Sequence, residues 1–313
     1  MDLTCVSYFA LAQLWGVEEL PAPDEGAEIV SMATSVGADG PVVAALASDL
    51  GMSTRLISNG VSDDPDGKTL IAYLRNHGVS HDADLASPGT KSPLLLTLGD
   101  ASGRRVWLVR LEGVAADIGR RVASWPELRA DLAYVDAYRA IETSAVATLR
   151  LAAATRQPVF VNLGQEAISL AITSAIVDCG SSVAAVQVSI GEASLDEATE
   201  AAGMLRRQVR SGTILVTFGS GGAVAIEEDG TMHHSAGFDV PVVHAHCAGA
   251  AFSAGYIAAR WRGLSTADAL PFACALGALR VSNPPEAEGF RLETVQQFLR
   301  ERSRNEHGGA GEH

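Results

Sequence analysis

The sequence predicts an α/β fold built on a mostly parallel sheet. Strand-length apolar runs alternate with helical patterns over most of the 313 residues, as expected of strands joined by helical crossovers. Hydrophobic residues make up 47% of the chain, enough for a large core, and neither a linker nor an internal repeat divides it. One domain over 1–302 is expected, with the polar, Gly-rich 303–313 as a disordered tail.

Thr4–Leu11 reads as a first strand, Val42–Leu50 as a buried helix of small and apolar residues, and Thr54–Ile57 as a second strand. Asp66–His77 reads as a helix of mixed polarity that ends at Gly78, a residue suited to the left-handed turn after a helix. The segment 92–109 breaks this rhythm. Two apolar runs flank Gly99, Asp100, Ala101, Ser102 and Gly103, which is hairpin chemistry and suggests a flap outside the main sheet. Alternation resumes with strands near Ala133–Val135, Val159–Asn162, Ala184–Val188 and Thr213–Thr217. Between the last two, Leu195–Gln208 is an amphipathic helix with Asp196 and Glu197 near its start and Arg206 and Arg207 near its end, as the helix dipole favours. A hairpin turning at Asp229 and Gly230 follows, then a strand at Val240–Val243 and helices at Ala251–Trp261, Thr266–Arg280 and Leu292–Arg302.

A formal charge of −14 argues against nucleic acid or an anionic membrane as partner, because the long-range field repels phosphate. A local anion site made of backbone amides stays compatible with it. Cys5, Cys179, Cys247 and Cys274 are scattered among apolar residues, which fits reduced, buried thiols in a cytoplasmic protein. No apolar run reaches the ~18 residues of a membrane span.

Two segments carry most of the functional signal. In Val242–Gly255, VVHAHCAGAAFSAG, a small-residue turn opens a helix whose first-turn amides have no partner inside the helix and favour anions. Upstream stands Val216–Ala223, VTFGSGGA. Their order and spacing resemble the PfkB family of carbohydrate and nucleoside kinases, with Thr217, Gly219 and Gly222 on its nucleotide-side motif and Cys247, Ala248 and Gly249 on its anion-binding turn. The resemblance covers roughly 1–300. It implies a three-layer αβα ribokinase-like domain with a small β-sheet lid (the hairpin at about 92–109 with parts of 12–40). It also implies ATP or ADP with Mg as cofactors, a small hydroxylated substrate under the lid, and a homodimer formed through lids.

The departures from that pattern are numerous. The family's catalytic Asp falls on Ala250, which cannot accept a proton, and general-base assistance is worth roughly 10²- to 10⁴-fold. The turn's Gly is Cys247, and the opening Asp, associated in many members with a monovalent cation, is His244. On the substrate side the family's Asp falls on Ala12. Its Gly-Gly-x-x-x-Asn motif falls on Gly37–Val42, where Gly37 survives, Val42 replaces Asn, and Asp39 is an available polar group. The magnesium motif retains only Glu192, with Ser189 in place of its Asn, and an Asn that often contacts adenine falls on Cys274.

Together these losses point away from ordinary sugar phosphorylation. They favour a descendant of the fold that binds a nucleotide or phosphorylated small molecule, or that has taken a regulatory role or other chemistry. One alternative is an ATP-dependent carbohydrate or nucleoside kinase with a relocated base, His246 or His244, two residues that would share a face of a strand. A second is a metal-dependent enzyme using His244, His246 and Cys247.

Overall fold

The computed structural model describes residues 1–308 except 83, 87–90, 101–103, 126, 127, 166, 286, 288 and 289. From β1 (Leu3–Val6) the chain passes to β2 (Ala10–Val17) and β3 (Ile29–Gly37), then through α1 (Asp39–Asp49), β4 (Thr54–Ile57) and α2 (Pro65–Asn76) to the hairpin β5 (Leu94–Asp100) and β6 (Arg105–Arg110). After α3 (Val114–Ala123), strands and helices alternate as β7 (Leu132–Asp136), α4 (Glu142–Thr155), β8 (Val159–Asn162), α5 (Leu170–Cys179), β9 (Val183–Ser189), α6 (Leu195–Val209) and β10 (Thr213–Thr217). The hairpin β11 (Gly222–Ile226) and β12 (Met232–Ala236) precedes α7 (Ala248–Trp261), α8 (Thr266–Ser282) and α9 (Leu292–Gly308).

Eight strands form the central sheet in the order β12-β11-β10-β9-β8-β7-β1-β4, parallel except for the β11–β12 edge. Apolar residues of α1, α2, α7, α8 and α9 form a core on one face, and those of α3 to α6 form a core on the other, giving three layers. Strands covered on both faces explain nearly continuous apolar runs such as VFVN and TILVT. Helix starts follow the sequence chemistry: Ser194 and Glu197 form a reciprocal cap on α6, and Asp64 caps α2 ahead of Pro65. Among the described residues no helix is long and apolar enough to cross a membrane.

The second sheet, ordered β3-β2-β5-β6, is the expected lid. Its hairpin turn at 101–103 lies outside the described residues.

Several expectations need correction. Thr4–Leu11 is not one strand: β1 stops at Val6, and the chain leaves the central sheet because the Asn59 side chain binds Phe9 N (2.9 Å) and Phe9 O (3.0 Å). Those bonds are long-range, so no local pattern announces the break. α1 begins at Asp39, three residues ahead of the expected start. Val240–Val243 forms no strand; Pro241 lacks a ladder donor, and the amides of Val243 (2.8 Å) and His244 (3.3 Å) donate to Val281 O at the end of α8 instead. The consequence is that His244 and His246 do not share a strand face. The helix α9 continues to Gly308 through the first part of the expected tail, and 309–313 lie outside the described residues.

Candidate functional site

Two helices start at the carboxyl edge of the central sheet and meet there. α1 opens behind Ala38 and α7 behind Cys247, and the Cys247 thiol lies 3.8 Å from Ala38 O. Neither of these residues caps its helix with a side chain, so first-turn amides are left for other partners. Both hold positive φ, 75° at Ala38 and 58° at Cys247, conformations that cost a residue with a Cβ roughly 1–3 kcal/mol. The positions where the resemblance expects glycine therefore keep a glycine-like backbone.

A row of polar side chains runs between the two helix starts. In the parallel register Asp136 stands beside Asn162 and Asn162 beside Gln187, with Ser7 just beyond the end of β1; all four are buried. Asp136 accepts from Ser7 Oγ (2.5 Å), Gly40 N (2.8 Å), Tyr134 OH (2.9 Å) and Asn162 Nδ2 (2.9 Å). Half-buried Asp39 accepts from Asn162 Nδ2 (2.9 Å) and Tyr138 OH (2.5 Å). At the other end Gln187 donates to Gly249 O (3.2 Å) and accepts from Ser253 Oγ (2.6 Å), tying the row to α7. Burial, and then the neighbouring Asp39 charge, raise the Asp136 carboxyl to about 7 against the pull of its hydrogen-bond donors.

The other anticipated substrate residues are placed differently. Ala12 and Val42 are enclosed in the core and Gly37 is buried at the end of β3, which leaves Asp39 as the polar, partly exposed member of that set. Ala250 is fully buried in the first turn of α7. Ser253 and Gln187, the polar side chains bonded to that turn, are committed to each other and to Gly249 O.

His246 is held by its own bonds. One ring nitrogen, Nε2, lies 2.8 Å from Val36 O and 3.3 Å from Cys247 Sγ, and its main-chain N–H donates to His244 Nδ1 (3.1 Å). Desolvation, reinforced by the charges of Arg280, His244 and Arg105, lowers the imidazole to about 4, while burial pushes the Cys247 thiol upward. The pair is therefore neutral thiol and neutral imidazole at pH 7, the reverse of an activated nucleophile. Among the described residues no three His, Cys, Asp or Glu side chains are grouped so as to hold a metal ion.

Below pH 6.5 an unfolded chain protonates this histidine before the folded one does, so stability falls as pH drops through the window from 6.5 to about 4. His246→Gln keeps a donor for Val36 O and cannot ionise. Its loss of melting temperature between pH 7 and pH 4.5 is expected to be smaller than that of the parent, by the equivalent of about 2 kcal/mol in scanning calorimetry.

On the expected nucleotide side Thr217 ends β10, Gly219 holds φ 62°, and Gly222 holds φ 108° with Ser235 O occupying the space a Cβ would need. Glu192 does not project freely. Its carboxylate lies across this turn and accepts from Ser220 N (3.0 Å) and Ser220 Oγ (2.7 Å). Gly249 by contrast is open: a Cβ there would meet nothing nearer than Gln187 Nε2 at 3.7 Å, and Ala248 is only half-buried.

The pfkB family carbohydrate kinase model matches residues 2–288. The chain belongs to the pfkB family. Solved structures share this pfkB fold. One is the Cryptococcus neoformans ribokinase in complex with ADP, at 15% identity and TM-score 0.74, covering 95% of this chain and 99% of that one. Another is the Burkholderia thailandensis nucleoside kinase in complex with inosine, at 13% identity and TM-score 0.75, covering 96% and 97%. The Methanocaldococcus jannaschii nucleoside kinase is similar at 16% identity and TM-score 0.72, covering 96% and 98%. No curated protein matches the chain.

Within this pfkB frame Ser7, Asp136, Tyr138, Asn162 and Gln187 join the candidate site, and sequence reasoning missed them. A usable signal existed: polar side chains closing the carboxyl ends of neighbouring parallel strands, where α/β sheets bind ligands.

Proposed function

We propose that this pfkB protein is a ligand-binding descendant of the sugar-kinase scaffold rather than an ordinary sugar kinase. It takes a nucleotide through Gly219, Gly222 and the opening turn of α7, and a small hydroxylated or phosphorylated molecule beside Asp39 under the lid. The observation that carries this reading is position 250, buried and without a proton acceptor beside the open first turn of α7. Anion binding is supported by the open Gly249 and the uncapped helix start. The donor set fits a nucleotide phosphate; for Mg it offers Glu192, whose carboxylate is already engaged by Ser220.

Isothermal titration of the full chain with ADP is the direct test, and saturable binding at millimolar ligand or below is expected. No heat of binding at that concentration would remove the nucleotide site. Steady turnover of ATP with ribose or inosine by the unaltered chain would remove the non-kinase reading.

One observation favours a second reading, a kinase with a relocated base. Asp39 is a half-buried carboxylate at the start of α1 whose charge reaches Cys247, the residue that opens α7. In that reading Asp39, rather than His246 or His244, takes the acceptor's proton.

A homodimer through the lid is part of the proposal. Register places Val106, Leu98, Trp15 and Met32 in one row across all four lid strands, and its ends are open, Val106 50% and Met32 70% exposed. A single-chain mass in light scattering would overturn it. Four free, buried cysteines support a cytoplasmic, reducing setting.

A further inference from the structure

The segment from Val243 to Cys247 that leads into α7 is where the resemblance places a monovalent cation, and the residues present do not fit one. His244 stands at the carboxylate position. The nearby Val281 carbonyl already accepts from both Val243 N and His244 N, and the Pro285 carbonyl accepts from Arg280 Nη1 at 2.9 Å. Both carbonyls are thus already hydrogen-bonded, one of them to a cation.

Arg280 itself is unusual. It is 5% exposed, its Nε has no hydrogen-bond partner, and among the described residues no carboxylate pairs with it. A buried cation without a paired carboxylate is costly unless its surroundings compensate. Part of that compensation is local, because Arg280 lies in the last turn of α8, where the helix dipole is negative. The charge is also felt across the gap at His246 and Cys247, the two residues that open α7. The helix start at Ala248 is uncapped, and α8 packs against it one turn before Arg280: a Cβ at Gly277 would stand 3.7 Å from Ala248 O.

We propose that the Arg280 guanidinium is a built-in cation that supports anion binding at the start of α7, so that this chain needs no potassium or sodium there. The inference rests on the anion site proposed above. Arg280 is a positioning residue, acting on the ligand's charge through the α7 turn.

The test compares the full-length parent with Arg280→Met and Arg280→Lys. For the parent, ADP affinity and melting temperature are expected to be the same in KCl, NaCl and choline chloride at equal ionic strength. Arg280→Met removes a buried charge that no described carboxylate pairs, so it is expected to melt at or above the parent's temperature while binding ADP about tenfold or more weakly. Arg280→Lys is expected to retain most of the affinity. Potassium strengthening ADP binding or raising the melting temperature of the parent would overturn the proposal, as would Arg280→Met binding ADP like the parent. If the parent binds no ADP, the nucleotide reading fails separately. The inference is then decided by inorganic phosphate, which should raise the melting temperature of the parent and not of Arg280→Met; equal response or none overturns it.

Discussion

Ala250→Asp is expected to raise basal ATP hydrolysis by about 10²- to 10⁴-fold, the contribution of a positioned general base. Water is the acceptor in this assay, which matters because Ala12 and Val42 are buried apolar residues and offer a sugar hydroxyl no polar partner. The substitution suits its place, since Ala250 lies in the first turn of α7 where a carboxylate is favoured by the helix dipole. A carboxylate there would also have Ser253 and Gln187 close by to orient it, at the cost of their present bonds to each other and to Gly249 O. ADP release with ATP and Mg is the measurement. Unaltered protein that already hydrolyses as fast as the variant would mean that another base, with Asp39 the foremost candidate, is in use.

Asp136→Leu is expected to destabilise the fold by about 3–5 kcal/mol, read as a lower urea midpoint. Leucine leaves the donors of Ser7, Gly40, Tyr134 and Asn162 facing an apolar group, and each is buried too deeply for water to replace the carboxylate. Asp136→Asn keeps one acceptor oxygen and should cost less. The pH dependence separates charge from shape. With its folded value raised to about 7, Asp136 holds a proton that the unfolded chain releases near the ordinary carboxylate range, so its contribution is fully present at low pH and is lost as pH rises through 7. Asp136→Asn should therefore be less harmful at pH 8 than at pH 5. An equal cost at both would show that the carboxyl is ionised throughout.

The fold was legible where local chemistry decides it. Gly219, Gly222 and Gly230 sit at positive φ, as turn glycines should, and the charges flanking 195–208 mark α6 correctly. What stayed hidden depends on partners distant in sequence. Nothing near Ser7 says that Asn59 will draw the chain out of the central sheet, and nothing near Val240 says that the end of α8 will take the amides a strand would need. The site divides the same way. The glycine-rich segments pointed to a turn that the structure keeps at Gly219 and Gly222, whereas Asp136, Asn162 and Gln187 became a row only once parallel register set them side by side. His246 could be named as a candidate base from its residue type and its place beside Ala250; the burial that weakens it as a base, against the opposing pull of its bond to Val36 O, belongs to tertiary structure.

The meeting of α1 and α7 has a kinetic consequence. Two helix starts meet at one spot in a molecule whose formal charge is −14, and the first turn of α7, unlike that of α1, carries no acidic residue to answer its dipole. An anion would be drawn to the α7 amides only at close range, after crossing a field that opposes it. Screening by salt weakens the distant repulsion more than the near attraction. Entry of an anionic ligand into this protein should accordingly quicken as ionic strength rises, the opposite of electrostatic steering.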